Sequence, residues 1–129
     1  MTGISAPTRP LLIIEDESPI QEFLRTALER NGYSVVIAAS GTEGLQILQE
    51  QEFSAVVSDM RTPGGVNGAD VHEWLRINRP ALAHRLLFIT GDIVNEETVE
   101  ILNKTGVPCI EKPFRVRELI EAVQKVLQS

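Results

Sequence analysis

Four short apolar stretches of this 129-residue chain each end in a side chain able to handle phosphate or metal. Residues 11–14 run into Glu15 and Asp16, residues 55–58 into Asp59, residues 86–89 into Thr90, and the stretch from 107 to 111 into Lys112. Carboxylates hold hard divalent cations, one carboxylate can serve as a nucleophile, and an ammonium neutralises the oxygens of an incoming phosphoryl group. Glu15, Asp16, Asp59, Thr90 and Lys112 gathered in one place would therefore suit metal-assisted phosphoryl transfer to a side chain. Taken singly, each has an ordinary explanation. The Glu15-Asp16-Glu17 run is then a solvated strand end, Asp59 a turn residue, Thr90 a β-branched strand residue and Lys112 a surface cation. The chemistry depends on their meeting.

An open parallel sheet would bring them together, because its strands share one carboxyl edge and ligands bind in the crevice there. The rest of the chain supplies what such a sheet needs. After the first strand, Ser18 reads as an N-cap with Pro19 at the first helical position and Gln21 placed for a capping box. The first helix then repeats Ile20, Phe23, Leu24, Ala27 and Leu28 at helical spacing and stops at Gly32. Residues 34–39 are β-branched and apolar, and Ser40 with Glu43 opens a second helix carrying Leu45 and Leu48. Residues 60–68 form a proline- and glycine-rich loop directly after Asp59. Asn67 caps a third helix bearing Val71, Trp74 and Leu75, which ends before Pro80. Asn95 caps a fourth helix with Val99 and Leu102 inward, stopped by Gly106. A fifth helix from about Arg115 carries Val116, Leu119, Ile120, Val123 and Leu127 at core spacing.

Strands buried on both faces read as continuous apolar runs, and these five do. The expected fold is α/β: a flavodoxin-like, doubly wound, five-stranded parallel sheet of order 2-1-3-4-5 with five helices. That order puts its switch point between strands one and three, flanked by Glu15, Asp16 and Asp59.

Composition fits one domain, since 43% hydrophobic residues supply a sizeable core at this length. Residues 1–10 read as a loose lead-in and residues 11–129 as the domain. A net charge of −6 without a Lys/Arg cluster argues against direct nucleic-acid or membrane contact. The single cysteine, Cys109, excludes an internal disulfide. With no signal-like apolar segment, the expected location is cytoplasmic.

From about residue 10 to 128 the sequence resembles the receiver domain of two-component response regulators. The acidic pair Glu15-Asp16, Asp59, Thr90 and Lys112-Pro113-Phe114 stand in that family's order and spacing. The DMRTPGG, ITGD and EKPF segments further resemble receivers of hybrid histidine kinases. The resemblance implies that Asp59 accepts a phosphoryl group from a histidine kinase or histidine phosphotransfer protein. It implies Mg2+, with Mn2+ able to substitute, held by Glu15, Asp16, Asp59 and the backbone carbonyl of Arg61. Asp16 and Asp59 are expected to bind directly, and Glu15, one methylene longer than the aspartate often found there, through a water. Clustered carboxylates raise one another's pKa, and a cation keeps Asp59 ionised. Lys112 would pair with the phosphoryl oxygens, Thr90 would sense them, and the Lys112-Pro113 bond is a candidate cis peptide. The face formed by the fourth helix, fifth strand and fifth helix would mediate homodimerisation or effector contact.

Two departures stand out. Cys109 occupies the position, three before the lysine, where an aromatic usually follows the threonine's motion, and the loop after Asp59 is one residue longer, with Thr62 where methionine is common.

Other residues read blandly: Trp74 and Cys109 as packing, His72 and His84 as surface side chains. Arg61 and Asp92 admit two readings: control of water at the site, or an exposed salt bridge or two unrelated surface charges. Of the rival functions, an interaction module independent of phosphorylation would normally have lost a site residue, and none is lost. An aspartate-nucleophile phosphatase needs a second aspartate two residues after the first, where this chain has Arg61. Neither a flavin phosphate loop nor a nucleotide-binding glycine motif is present. Any catalysis is therefore expected to be self-phosphorylation and autodephosphorylation, with no separate turnover substrate.

Overall fold

The computed structural model describes residues 9–61 and 65–129. Residues 1–8 of the expected lead-in, and residues 62–64 of the expected loop with Thr62, lie outside that range.

The chain alternates strand and helix: β1 Leu11–Ile14, α1 Ser18–Arg30, β2 Val35–Ala38, α2 Gly41–Glu50, β3 Ala55–Asp59 and α3 Gly68–Asn78. It continues through α4 Pro80–Ala83, β4 Leu86–Thr90, α5 Glu96–Thr105, β5 Cys109–Glu111 and α6 Val116–Leu127. The strands form one sheet of order β2-β1-β3-β4-β5, parallel throughout.

Period-two alternation sends successive residues of each strand to opposite faces. Leu12, Ile14, Val56 and Phe88 pack toward α2 and α3 through Leu48, Val71 and Leu75. Leu11, Ile13, Val57 and Leu87 pack toward α1 and α6 through Leu24, Leu28, Leu119 and Val123. Both faces are therefore covered, which is why the strands carry no polar alternation. At roughly 1.5–3 kcal/mol per buried large aliphatic side chain, these two layers are the main favourable term holding the fold.

The expected order and pairing are present, with local differences. Among the described residues there are six helices, not five, because Pro80 opens a separate turn, α4. Proline lacks the N–H that a helix interior needs but suits a first turn, so the residue that ends α3 also begins the next helix. The first helix is capped by Glu17 and not Ser18, with Ile20 and Gln21 donating their amides to the Glu17 carbonyl at 3.1 and 2.9 Å. The Gln21 side chain closes no capping box; its Nε2 donates to the Glu15 carbonyl at 2.6 Å.

In α5, Asn95 accepts from the amides of Glu97 and Thr98, and the resulting phase buries Thr98 and leaves Val99 40% exposed. Val116 and Phe23 are also largely exposed, whereas Val126, absent from the expected core, is buried. The expected stops hold: Gly32 and Gly106 adopt φ of 91° and 69°, a left-handed conformation that glycine adopts without steric cost. No helix among the described residues is long and apolar enough to cross a membrane.

Candidate functional site

Register places the chemistry. In the last rungs of the sheet Ile14 pairs with Ser58, Asp59 with Ile89 and Thr90 with Glu111. The residues that leave these rungs therefore emerge on one edge. A cleft of about 300 Å³ opens there, walled by Asp16, Glu17, Asp59, Arg61, Thr90 and Lys112, together with Gly91 and Asp92. The sequence-predicted set is thus drawn from four strand ends into one crevice. Glu15 alone of that set does not line it, being fully buried.

Lys112 follows β5, and its backbone amide donates to the Thr90 carbonyl at 2.8 Å, which fixes where its side chain starts. The Lys112-Pro113 peptide is cis, as expected. The Lys112 ammonium lies 2.9 Å from Asp59 Oδ2, 3.3 Å from Glu15 Oε1 and 3.7 Å from Glu17 Oε2. Burial alone would lower its pKa, but the hydrogen bond and charge of Asp59, helped by Glu15, outweigh that and raise it. Lys112 is therefore charged throughout the physiological range.

Asp59 is almost fully buried, and its second oxygen, Oδ1, accepts the Arg61 amide at 3.2 Å. Thr90 is likewise buried, with Oγ1 accepting from the Asp92 amide at 3.2 Å. The Arg61 guanidinium reaches Glu97 at 3.8 Å in an exposed ion pair, the ordinary alternative for that residue. Asp92 is not its partner; the Asp92 carboxylate accepts from the Val94 amide.

Glu15 is the most strained of the carboxylates electrostatically. Burial pushes its pKa up to about 7, aided by the charge of Asp59 and opposed by the Glu17 amide and Lys112. Its Oε2 accepts the Glu17 amide at 3.1 Å, whereas the buried Oε1 faces the Lys112 ammonium at 3.3 Å. A buried carboxylate that shares its one ammonium with two other carboxylates is only partly compensated. Carboxylate oxygens of Glu15, Asp16 and Glu17 lie within 4.8 Å of one another. An all-oxygen donor set of this kind, with more carboxylates than the shared ammonium can answer, fits a hard divalent cation such as Mg2+.

Glu17 is the residue that sequence reasoning missed, having been read only as part of a solvated strand end. Its signal was the position directly before Ser18-Pro19: the helix start folds residue 17 back over the acidic pair. Cys109, conversely, is half-buried with its Sγ near the Ile110 carbonyl, and burial, with Glu111 and Asp59 adding, pushes its thiol to about 11. It is a packing residue, as expected.

The sequence pattern of the response regulator receiver domain matches residues 11–124. The chain belongs to this family. The receiver domain is 34% identical to the uncharacterized transcriptional regulatory protein YkoG of Bacillus subtilis, over 92% of this chain and 51% of that protein. It is 30% identical to the response regulator MprA of a Mycobacterium species over 92% of this chain and 50% of that one. It thus spans about half the length of these curated relatives. Among solved structures, a CheY-like response regulator receiver domain protein from Methanospirillum hungatei superposes with a TM-score of 0.83 at 27% identity. That match covers 95% of both chains. The receiver fold of the present chain is accordingly the one its strand order indicates, and receiver domains act in two-component signalling.

Proposed function

We propose that this receiver domain accepts a phosphoryl group on Asp59 from a phosphohistidine of a histidine kinase or histidine phosphotransfer protein, in a Mg2+-dependent reaction, and changes conformation in response. The observation that carries this reading is the 2.9 Å contact of Lys112 Nζ with Asp59 Oδ2 inside the cleft that Thr90 also lines.

Asp59 has the two properties a nucleophile needs here. It opens on the cleft, and its oxygens are held by Lys112 on one side and the Arg61 amide on the other. An oxygen of Asp59 attacks phosphorus, the phosphorus–nitrogen bond to the donor imidazole breaks, and that nitrogen keeps the electron pair and then takes a proton. The Lys112 ammonium passes from the carboxylate to a phosphoryl oxygen as charge moves outward, so its electrostatic support follows the reaction. Glu15, Asp16, Glu17 and Asp59, with the Arg61 carbonyl, would hold Mg2+, and the ion when bound supplies positive charge to the transferring phosphoryl oxygens. Thr90 Oγ1, now engaged with the Asp92 amide, turns to the new oxygens and draws the segment from Gly91 toward Asp59.

That movement alters the surface of α5, β5 and α6, where Val94 and Val99 are exposed, and this face is the one we assign to homodimer or effector contact. Residues 11–129 act as the receiver unit, with a cytoplasmic location and no nucleic-acid or membrane contact of its own.

The test is incubation with acetyl phosphate and Mg2+, followed by intact-protein mass spectrometry. A phosphoryl adduct on the wild type that is absent from Asp59→Asn and from samples treated with a chelator supports the reading. An adduct that survives Asp59→Asn, or none on the wild type, defeats it and leaves an interaction module independent of phosphorylation.

A further inference from the structure

Beyond Thr90 the chain leaves the sheet through Gly91, Asp92, Ile93 and Val94 before Asn95 caps α5. Apolar packing does little to fix this segment, since Ile93 is 37% and Val94 82% exposed. Side-chain oxygens hold it instead. The Asp92 amide donates to Thr90 Oγ1 at 3.2 Å, the Val94 amide to Asp92 Oδ1 at 3.2 Å, and the Ile93 amide to Glu111 Oε2 at 3.5 Å. Thr90 and Asp92 belong to the segment or adjoin it, so they move with it. Glu111 ends β5, 18 positions after Ile93, and anchors the segment from outside.

The register explains why Glu111 is in reach. Thr90 and Glu111 share the last rung between β4 and β5, and Phe88 and Cys109 share the rung two residues earlier. Side chains alternate along a strand, so all four leave the sheet on one face, with Glu111 directly beside Thr90. Cys109 Sγ lies near the Ile110 carbonyl and makes no hydrogen bond to the segment. Among the described residues, the hydrogen bond by which a β5 side chain holds the segment is therefore the one from Ile93 to Glu111.

The segment also has two sides. Gly91 and Asp92 line the cleft that contains Asp59, whereas the Ile93 amide faces β5. Drawing Gly91 toward Asp59 thus pulls Ile93 away from Glu111.

We propose that Glu111 is a positioning residue that latches residues 91–94 in their outward, resting place, so that its bond to Ile93 sets how readily phosphorylation throws the switch. The inference rests on Asp59 being the phosphoacceptor. A separation of 3.5 Å is long for a hydrogen bond, which suits a contact that must open. Such a bond biases the outward over the inward arrangement by about threefold, and the inward fraction scales the apparent reactivity of the site. The plain alternative is that an exposed glutamate on an edge strand only discourages strand addition, a role that needs its charge and not its acceptor oxygen.

The test compares wild type, Glu111→Ala and Glu111→Gln in the full chain. Amide exchange at Ile93 is recorded by NMR before phosphorylation, and the phosphoryl adduct from acetyl phosphate and Mg2+ is then followed by mass spectrometry. In Glu111→Ala the Ile93 amide should exchange, and the adduct form, about threefold faster. Glu111→Gln keeps an acceptor oxygen and should hold both rates near wild type. An unchanged Ile93 exchange rate or an unchanged labelling rate in Glu111→Ala overturns the proposal. So does equal acceleration in the two variants, which would trace the effect to lost charge near an anionic donor. A wild type that takes no phosphoryl group defeats the reading of Asp59 instead, and the latch then stands or falls by the Ile93 exchange.

Discussion

The ammonium of Lys112 lies 2.9 Å from Asp59 Oδ2, a residue 53 positions earlier in the chain, and also within ion-pair reach of Glu15 and Glu17. One cation thus answers several carboxylates, leaving the crevice negative. That imbalance stabilises the crevice only with help, and it is what makes a divalent ion and then a phosphoryl group welcome there.

Lys112→Ala leaves Glu15 and Asp59 buried without a counter-charge. Breaking a buried pair from one side costs about 3–5 kcal/mol, and the 21% exposure of Lys112 reduces this to about 2–3 kcal/mol. Urea denaturation should show that loss, smaller when Mg2+ is present, and acetyl phosphate labelling should slow about tenfold or more. A variant as stable as wild type in chelator would mean the ammonium is not neutralising these carboxylates.

Stability should fall as pH rises without Mg2+. In the folded chain Glu15 keeps its proton up to about 7, whereas its ordinary value is 4.5. Between those values the folded state binds more protons than the unfolded one, so stability declines across that window and levels off above it. The loss is on the order of 1–3 kcal/mol. Thermal melts between pH 5 and 8 in chelator, flattened by Glu15→Gln, would establish the slope; a stability rising over that range contradicts it.

Glu17→Gln should weaken Mg2+ binding about tenfold by calorimetry while leaving the apo melting temperature nearly unchanged, since Glu17 is exposed and makes only a long ion pair. Unaltered affinity would remove Glu17 from the metal site.

Gly68→Ala should destabilise, against the usual sign. In an exposed helix alanine gains about 0.8–1 kcal/mol over glycine. Here the added Cβ would meet the Phe88 ring at 2.8 Å and the Met60 backbone at 3.1 Å, with Phe88 fully buried and unable to yield. Overpacking of this kind costs about 1–3 kcal/mol, so the net effect is a loss, readable as a lower denaturation midpoint. A raised midpoint would refute it.

The local sequence determined the elements that rest on local physics. Continuous apolar runs meant strands covered on both faces; Asn67, Asn95 and Gly106 set helix ends because caps and left-handed stops are made by residues within one turn; and Glu15, Asp16, Asp59, Thr90 and Lys112 were legible because each follows its strand directly. The exposure of Phe23 and Val116 was decided by neighbours distant in sequence, against which an apolar spacing pattern has no fixed direction. Only the tertiary structure brought Lys112 onto Asp59, placed the Glu17 carboxylate beside the acidic pair and buried Glu15 against the Lys112 ammonium. Burial and charge proximity are properties of space, and a parallel sheet makes neighbours of residues that the chain keeps far apart.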